Sequence, residues 1–134
     1  MILSDICLKL CGGGYAMKAV VLHEYGGPGK LKFEDDVPDP QISESTVLIA
    51  AAAASVNPID WKMRSGARQK DFPLSFPAIL GRDVSGIVRA VGANVKHFKA
   101  GDPVLALSKA TYAEFACGCM SGTKPMRITF SMSP

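Results

Sequence analysis

Short apolar stretches separated by turn residues dominate the middle of the chain and predict β-strands. Residues 18–24 form a β-branched apolar run, and residues 31–35 alternate apolar and polar side chains as a half-buried strand does. The apolar runs at 83–91 and 103–107 predict two further strands, and residues 112–115 predict a short one. Many short strands with frequent turns favour a small barrel or sandwich.

The run at 46–56 is apolar and uncharged, and its alanines leave a helix conceivable. Its first residues, Thr-Val-Leu-Ile, favour a strand at the start. A helix is predicted directly afterwards, because Asn57 suits the N-cap, Pro58 the first helical position and Asp60 the first turn. This helix should end before Gly66.

Composition bounds both the fold and the class of function. The chain has 134 residues, of which 48% are apolar, and this suits one packed domain. The net charge is +3 and the basic residues are scattered, so nucleic acid is not an expected partner. No stretch reaches the ~18 apolar residues of a membrane span, so we expect no membrane partner. The apolar segment at 1–10 lacks the positively charged start of a secretory signal.

The four cysteines lie near the two ends of the chain, at Cys7, Cys11, Cys117 and Cys119. A secreted disulfide framework spreads its cysteines through the fold, so we expect reduced thiols and a cytoplasmic protein. The Cys-x₃-Cys and Cys-x-Cys spacings are a poor match to structural zinc sites. The sequence therefore predicts no metal at the cysteines.

The chain divides into three parts by its pattern. Residues 1–16 are an N-terminal extension that ends in a glycine-rich connector, residues 17–117 form the β-rich domain, and residues 118–134 form an irregular tail. Two glycine clusters, at 12–14 and 26–29, lack the strand, turn and helix context of a dinucleotide-binding loop. We interpret both clusters as connectors.

Four segments, in this order and spacing, carry a resemblance to a known family: Met17-Lys-Ala-Val-Val-Leu with Tyr25-Gly-Gly-Pro, Ala54-Ser-Val-Asn-Pro-Ile-Asp with Arg64-Ser-Gly, Gly81-Arg-Asp-Val-Ser-Gly-Ile-Val, and Gly101-Asp-Pro-Val. They resemble the N-terminal, GroES-like domain of the medium-chain dehydrogenase/reductase superfamily. The zinc-independent quinone oxidoreductase and alkenal/enone reductase branch fits best. The resemblance covers residues 17–117 and implies a mainly β, partly open GroES-like barrel with one short helix. Family members continue into a Rossmann domain that binds NADPH, and this chain resembles one truncated before it.

The resemblance implies NADPH-dependent reduction of quinones or α,β-unsaturated carbonyls without a metal. The zinc-dependent branch has Cys and His ligands where Asn57 and Arg82 stand, and neither residue suits zinc. By the same resemblance, Asn57 and Lys62 contact the cofactor, and Lys62 is the catalytic candidate that stabilises charge on the substrate oxygen. The Asn57 side-chain oxygen should serve the helix cap, which leaves its NH₂ group free to donate. A solvated helix face is the alternative for Lys62.

Trp61, Phe72 and Phe76 are expected to line the apolar, substrate side of the cleft, although core packing accounts for them equally well. Asp83 is interpreted as a structural hydrogen-bond acceptor inside a strand. Without a cofactor domain, the chain alone is expected to be inactive and to self-associate through exposed strand edges. A non-catalytic β-barrel interaction module is the alternative function.

Overall fold

Two antiparallel sheets and one short α-helix form the fold in the computed structural model, which describes residues 16–119. The predicted mainly β, partly open barrel with a short helix is confirmed. The extension at 1–15 and the segment 120–134 lie outside the described residues, and Cys7 and Cys11 lie there with them. The elements in chain order are β1 (Ala16–Leu22), β2 (Leu31–Pro38), β3 (Thr46–Ala54), α1 (Pro58–Arg64), β4 (Ala78–Ile79), β5 (Asp83–Val91), β6 (Pro103–Leu107) and β7 (Phe115–Cys119).

The first sheet has the strand order β2-β1-β4 and the second has the order β6-β5-β3-β7. The segment just before β7 joins them through the backbone. Glu114 donates its N–H to the Lys18 oxygen at 2.9 Å and accepts the Ala51 N–H at 2.8 Å, while Tyr112 accepts the Val20 N–H at 2.8 Å. The backbone of Tyr112 is therefore hydrogen-bonded to β1 of the first sheet, and its side chain takes no part in that bond.

The core of the second sheet fixes the pairing of β3 with β5. Every second residue of β5 is buried, at Val84, Gly86 and Val88, as expected for a strand with one face against a core. Val84 and Val88 share a hydrophobic cluster with Val47 and Ile49 of β3. Burying each such side chain contributes about 1.5–3 kcal/mol, so this register is strongly preferred over a shifted one.

Two glycines allow close approaches that a side chain would prevent. A Cβ at Gly86 would lie 2.0 Å from the Ala50 carbonyl oxygen on β3. Gly81 has a φ of +96°, and a Cβ there would lie 2.2 Å from Thr111 Oγ1 and 2.7 Å from the Tyr112 ring. Both positions need glycine, the second for its backbone conformation as well.

The strands predicted at 83–91 and 103–107 are confirmed residue for residue. The strand predicted at 112–115 is wrong. Residues 112–114 make only an isolated bridge and cross-sheet hydrogen bonds, and the strand proper is Phe115–Cys119. The two-residue β4 was not predicted, because two residues are too few to show a periodic pattern. No helix among residues 16–119 has the length and apolarity to cross a membrane.

Candidate functional site

The start of α1 collects polar groups at the end of β3. Asn57 precedes the helix with extended backbone angles, φ −110° and ψ 156°, and its N–H donates to Asp60 Oδ2 at 2.7 Å. Asp60 in turn donates its N–H to the Asn57 carbonyl oxygen at 3.0 Å, and it is only 3% exposed. The predicted helix start is confirmed, and the helix ends at Arg64, before Gly66. A reciprocal cap of this kind satisfies N–H groups that the first turn leaves unpaired.

The Asn57 amide joins a second polar cluster on the strands. Its Nδ2 donates to Asp83 Oδ2 at 2.5 Å and to Ser55 Oγ at 3.1 Å, and Ser55 Oγ donates to the same Asp83 oxygen at 2.6 Å. Asp83 opens β5 and Ser55 follows β3, so the register of these two strands brings them together. The expectation that the Asn57 NH₂ group is free to donate is wrong, because Asp83 and Ser55 already accept from it.

Asp83 is held in its ionised form by these contacts. The hydrogen bond from Ser55 lowers the pKa of its carboxyl, the Asn57 bond and the Arg82 charge lower it further, and partial burial opposes them. Hydrogen bonds to the charged form of a carboxyl favour that form. The cluster therefore carries a fixed negative charge beside the start of α1.

A tyrosine distant in the sequence completes the helix start. Tyr112 Oη donates to Asp60 Oδ2 at 2.9 Å, the same oxygen that accepts the Asn57 N–H. Burial raises the pKa of the Tyr112 phenol strongly, and the hydrogen bond to Asp60 and the charges of Asp60 and Asp83 raise it further. Tyr112 is therefore a protonated donor near neutral pH.

Sequence reasoning did not assign Ser55, Asp60 or Tyr112 to the site. The Asn-x-x-Asp spacing of a helix cap was a usable signal for Asp60. Ser55 lies in no nucleophile motif, and nothing local to Tyr112 indicates its partner. That partner lies 52 positions away in the chain.

Lys62 and Trp61 lie next to each other on α1. The Lys62 ammonium lies 5.5 Å from the centroid of the Trp61 ring, within the range of a cation–π contact. Trp61 is 49% exposed. Within residues 16–119, the Lys62 ammonium makes no hydrogen bond or ion pair, so its three donors are not used by this part of the chain.

Phe72 and Phe76 lie on the loop that follows α1 and are about equally exposed. Phe76 meets the Tyr25 ring edge to face, with 4.9 Å between centroids, while Phe72 lies 5.6 Å from the Arg68 guanidinium. Among residues 16–119, Trp61 makes no ring contact with either phenylalanine. The structure thus brings Trp61 and Lys62 together and places the two phenylalanines separately.

The donor set at the helix start does not fit zinc. Asn57 directs its NH₂ group, a donor, into the cluster, and the neighbouring Arg82 carries a permanent positive charge. In the described part of the chain, no group of three or more His, Cys, Asp or Glu side chains could hold a metal ion. The Cys117 thiol donates to the Gln41 carbonyl oxygen at 3.2 Å.

Two antiparallel sheets in a partly open barrel, one short helix and a cluster of polar groups at the helix start are the architecture of a GroES-like domain of the dehydrogenase type. The comparison with protein families agrees. The alcohol dehydrogenase GroES-like domain model matches residues 43–131, and the chain belongs to this family. The resemblance drawn from the four sequence segments is confirmed.

Individual relatives place the chain near the quinone and alkenal reductases. It is 39% identical over 119 residues to a quinone oxidoreductase of Rattus norvegicus, with 87% of this chain covered. It is 46% identical over 91 residues to an NADPH-dependent alkenal/one oxidoreductase of Arabidopsis thaliana, with 67% covered. The crystal structure of Escherichia coli quinone oxidoreductase complexed with NADPH superposes with a TM-score of 0.73 at 32% identity, covering 87% of this chain.

The chain spans only part of each relative. It covers 36% of the rat protein, 23% of the plant protein and 34% of the bacterial structure. The activity of the whole relatives therefore enters below as a proposal.

Proposed function

We propose that this chain is the substrate-side domain of a zinc-independent, NADPH-dependent oxidoreductase that reduces quinones or α,β-unsaturated carbonyls. The observation that carries the proposal is the Lys62 ammonium, which lies beside Trp61 and has no hydrogen-bond or ion-pair partner within residues 16–119. Relatives named quinone oxidoreductase and alkenal/one oxidoreductase support the substrate class. NADPH, when bound, supplies the hydride.

Lys62 is the residue that this proposal makes catalytic. When hydride reaches a quinone or an enone, negative charge develops on the carbonyl oxygen. An ammonium group that donates to this oxygen stabilises the transition state by about 3 kcal/mol. Trp61 keeps the Lys62 head group near the helix surface and offers an apolar ring to the substrate, and Phe72 and Phe76 extend that apolar side.

Asn57 is proposed to contact the cofactor at the start of α1, in an orientation that Asp83 and Ser55 fix. The pyrophosphate of a dinucleotide requires a strand, a glycine-rich turn and an α-helix in succession. Residues 16–119 contain no such succession. We therefore assign to this domain only the side of the cofactor that faces the substrate.

The test uses a chimera in which residues 16–119 replace the matching segment of the Escherichia coli quinone oxidoreductase. Lys62→Ala should lower kcat by about 100-fold, the equivalent of one lost transition-state donor. Asp83→Asn should lower kcat less than Lys62→Ala does, because Asp83 only orients Asn57 and Ser55. Lys32→Ala, which removes an exposed lysine on β2, is the matched control. Equal losses of kcat for Lys62→Ala and Asp83→Asn, with folding unchanged, contradict the assignment.

We also propose that the isolated chain self-associates through its strand edges. Among residues 16–119, β6 and β7 each have a neighbour on one side only, and Leu107 on β6 is 59% exposed. Unprotected edges of this kind pair with other chains. Sedimentation velocity should show oligomers that Leu107→Lys shifts towards monomer, whereas Ala67→Lys, on the loop after α1, should not. A monomeric unmodified chain contradicts this proposal.

A further inference from the structure

Tyr112 lies in the segment between β6 and β7, and its side chain reaches the start of α1. Its hydroxyl and the Asn57 N–H donate to one oxygen, Asp60 Oδ2, at 2.9 Å and 2.7 Å. The other oxygen, Asp60 Oδ1, is buried and has no hydrogen-bond partner among the described residues. Within this part of the chain, the hydrogen bonds from these two donors therefore orient the Asp60 carboxylate.

The position of Tyr112 is fixed independently of Asp60. Its N–H donates to the Leu80 oxygen at 3.1 Å, and its carbonyl accepts the Val20 N–H at 2.8 Å. Its ring lies against Gly81, 2.7 Å from the place where a Cβ would stand. Two hydrogen bonds fix the Tyr112 backbone and close packing fixes its ring, so the residue is a rigid support for its hydroxyl.

We propose that Tyr112 is a positioning residue, which sets the orientation of the Asn57 amide towards Asp83 through its hydrogen bond to Asp60. Loss of the phenolic donor leaves one donor on Asp60 Oδ2, and the carboxylate is then free to rotate about its terminal bond. The Asn57 N–H follows that rotation, and the Asn57 side chain moves relative to the acceptors Asp83 and Ser55. The significance of this orientation for catalysis rests on the proposed function, whereas the orientation itself does not.

The test compares Tyr112→Phe with the unmodified 134-residue chain by NMR. Phenylalanine keeps the ring that packs against Gly81 and removes only the donor. We expect the Asn57 Nδ2 proton resonances to shift towards those of a solvent-exposed asparagine. We also expect the Asp83 carboxyl to titrate at higher pH, because a weaker Asn57 bond stabilises its charged form less. Arg82, the charged neighbour that also lowers the Asp83 pKa, is present in both chains.

Tyr25→Phe is the matched control. It also removes a hydrogen-bonded tyrosine hydroxyl. That hydroxyl accepts the N–H of Leu74, on the loop that follows α1, at 2.9 Å, and within the described residues it makes no hydrogen bond with Asp60. It should leave the Asn57 and Asp83 signals unchanged. A Tyr112→Phe chain with a lower melting temperature but unchanged Asn57 and Asp83 signals overturns the proposal, because a purely structural role predicts that result.

A measurement on the unmodified chain covers the case in which Tyr112→Phe does not fold. The Tyr112 hydroxyl proton should exchange slowly with solvent and show a nuclear Overhauser contact to the Asn57 backbone amide proton. A rapidly exchanging hydroxyl proton overturns the proposal. Neither experiment contains cofactor or substrate, so failure here is distinct from failure of the proposed reductase function.

Discussion

Replacing Gly86 by alanine tests the tightest approach between the two central strands. The new Cβ would lie 2.0 Å from the Ala50 carbonyl oxygen, 2.9 Å from its carbon and 3.1 Å from Ile49 Cγ2. Two of these three atoms are backbone, so no side-chain rotation can relieve the contact. Strands β3 and β5 must therefore move apart at the pair formed by Ala51 and Gly86.

The size of this movement sets the expected cost. Ordinary van der Waals contact begins at 3.4 Å, so the strands must separate by roughly 1 Å or more, which takes an N–H···O bond out of hydrogen-bonding range. Loss of two ladder bonds costs about 2 kcal/mol, and overpacking costs about 1–3 kcal/mol more. The total, about 3–5 kcal/mol, is a large share of the ~5–15 kcal/mol that stabilises a typical domain.

Urea unfolding followed by circular dichroism measures this cost, and two other glycines supply controls. Gly101 has a φ of +93° with nothing within 4 Å of a Cβ, so Gly101→Ala should cost only the backbone strain, about 1 kcal/mol. Gly29 is open and has no positive φ, so Gly29→Ala should change stability by less than about 0.5 kcal/mol. If Gly86→Ala costs no more than Gly101→Ala, the close pairing of β3 and β5 is incorrect.

Three further predictions concern the site and its surroundings. Ser55→Ala should destabilise the chain at pH 7 and lose its effect in acid. The folded pKa of Asp83 is depressed, so the stability it contributes is present above the unfolded pKa of about 3.9 and disappears as pH falls through the folded value; an effect on urea unfolding that does not decrease as the pH is lowered below the unfolded pKa contradicts this. Tyr25→Phe should cost about 1 kcal/mol, because the Leu74 N–H loses its acceptor, and should accelerate hydrogen exchange at that amide; unchanged exchange argues against the contact. Elemental analysis after chelator washing should give far less than one zinc per chain, since Asn57 and Arg82 are unsuitable ligands; a stoichiometric zinc would refute this.

Local sequence patterns were sufficient to predict the helix and strands whose determining residues lie within a few positions of each other. The start of α1 follows from Asn57, Pro58 and Asp60, whose side chains act on the backbone of the first turn itself. The strands at 83–91 and 103–107 follow from the apolar runs that form them. The order and spacing of four segments was also sufficient to indicate the family, which the family model confirms.

The sequence alone could not place the hydrogen bonds that build the site, because they join residues far apart in the chain. Asn57 and Asp83 are 26 positions apart, and Tyr112 and Asp60 are 52 apart. The first pair depends on the register of β3 against β5, which includes irregularities between residues 48 and 53. A slip of one residue would turn every side chain of a strand to the other face. Only the pairing of the folded sheets therefore decides that the Asn57 amide faces Asp83 and that a tyrosine supports the helix start.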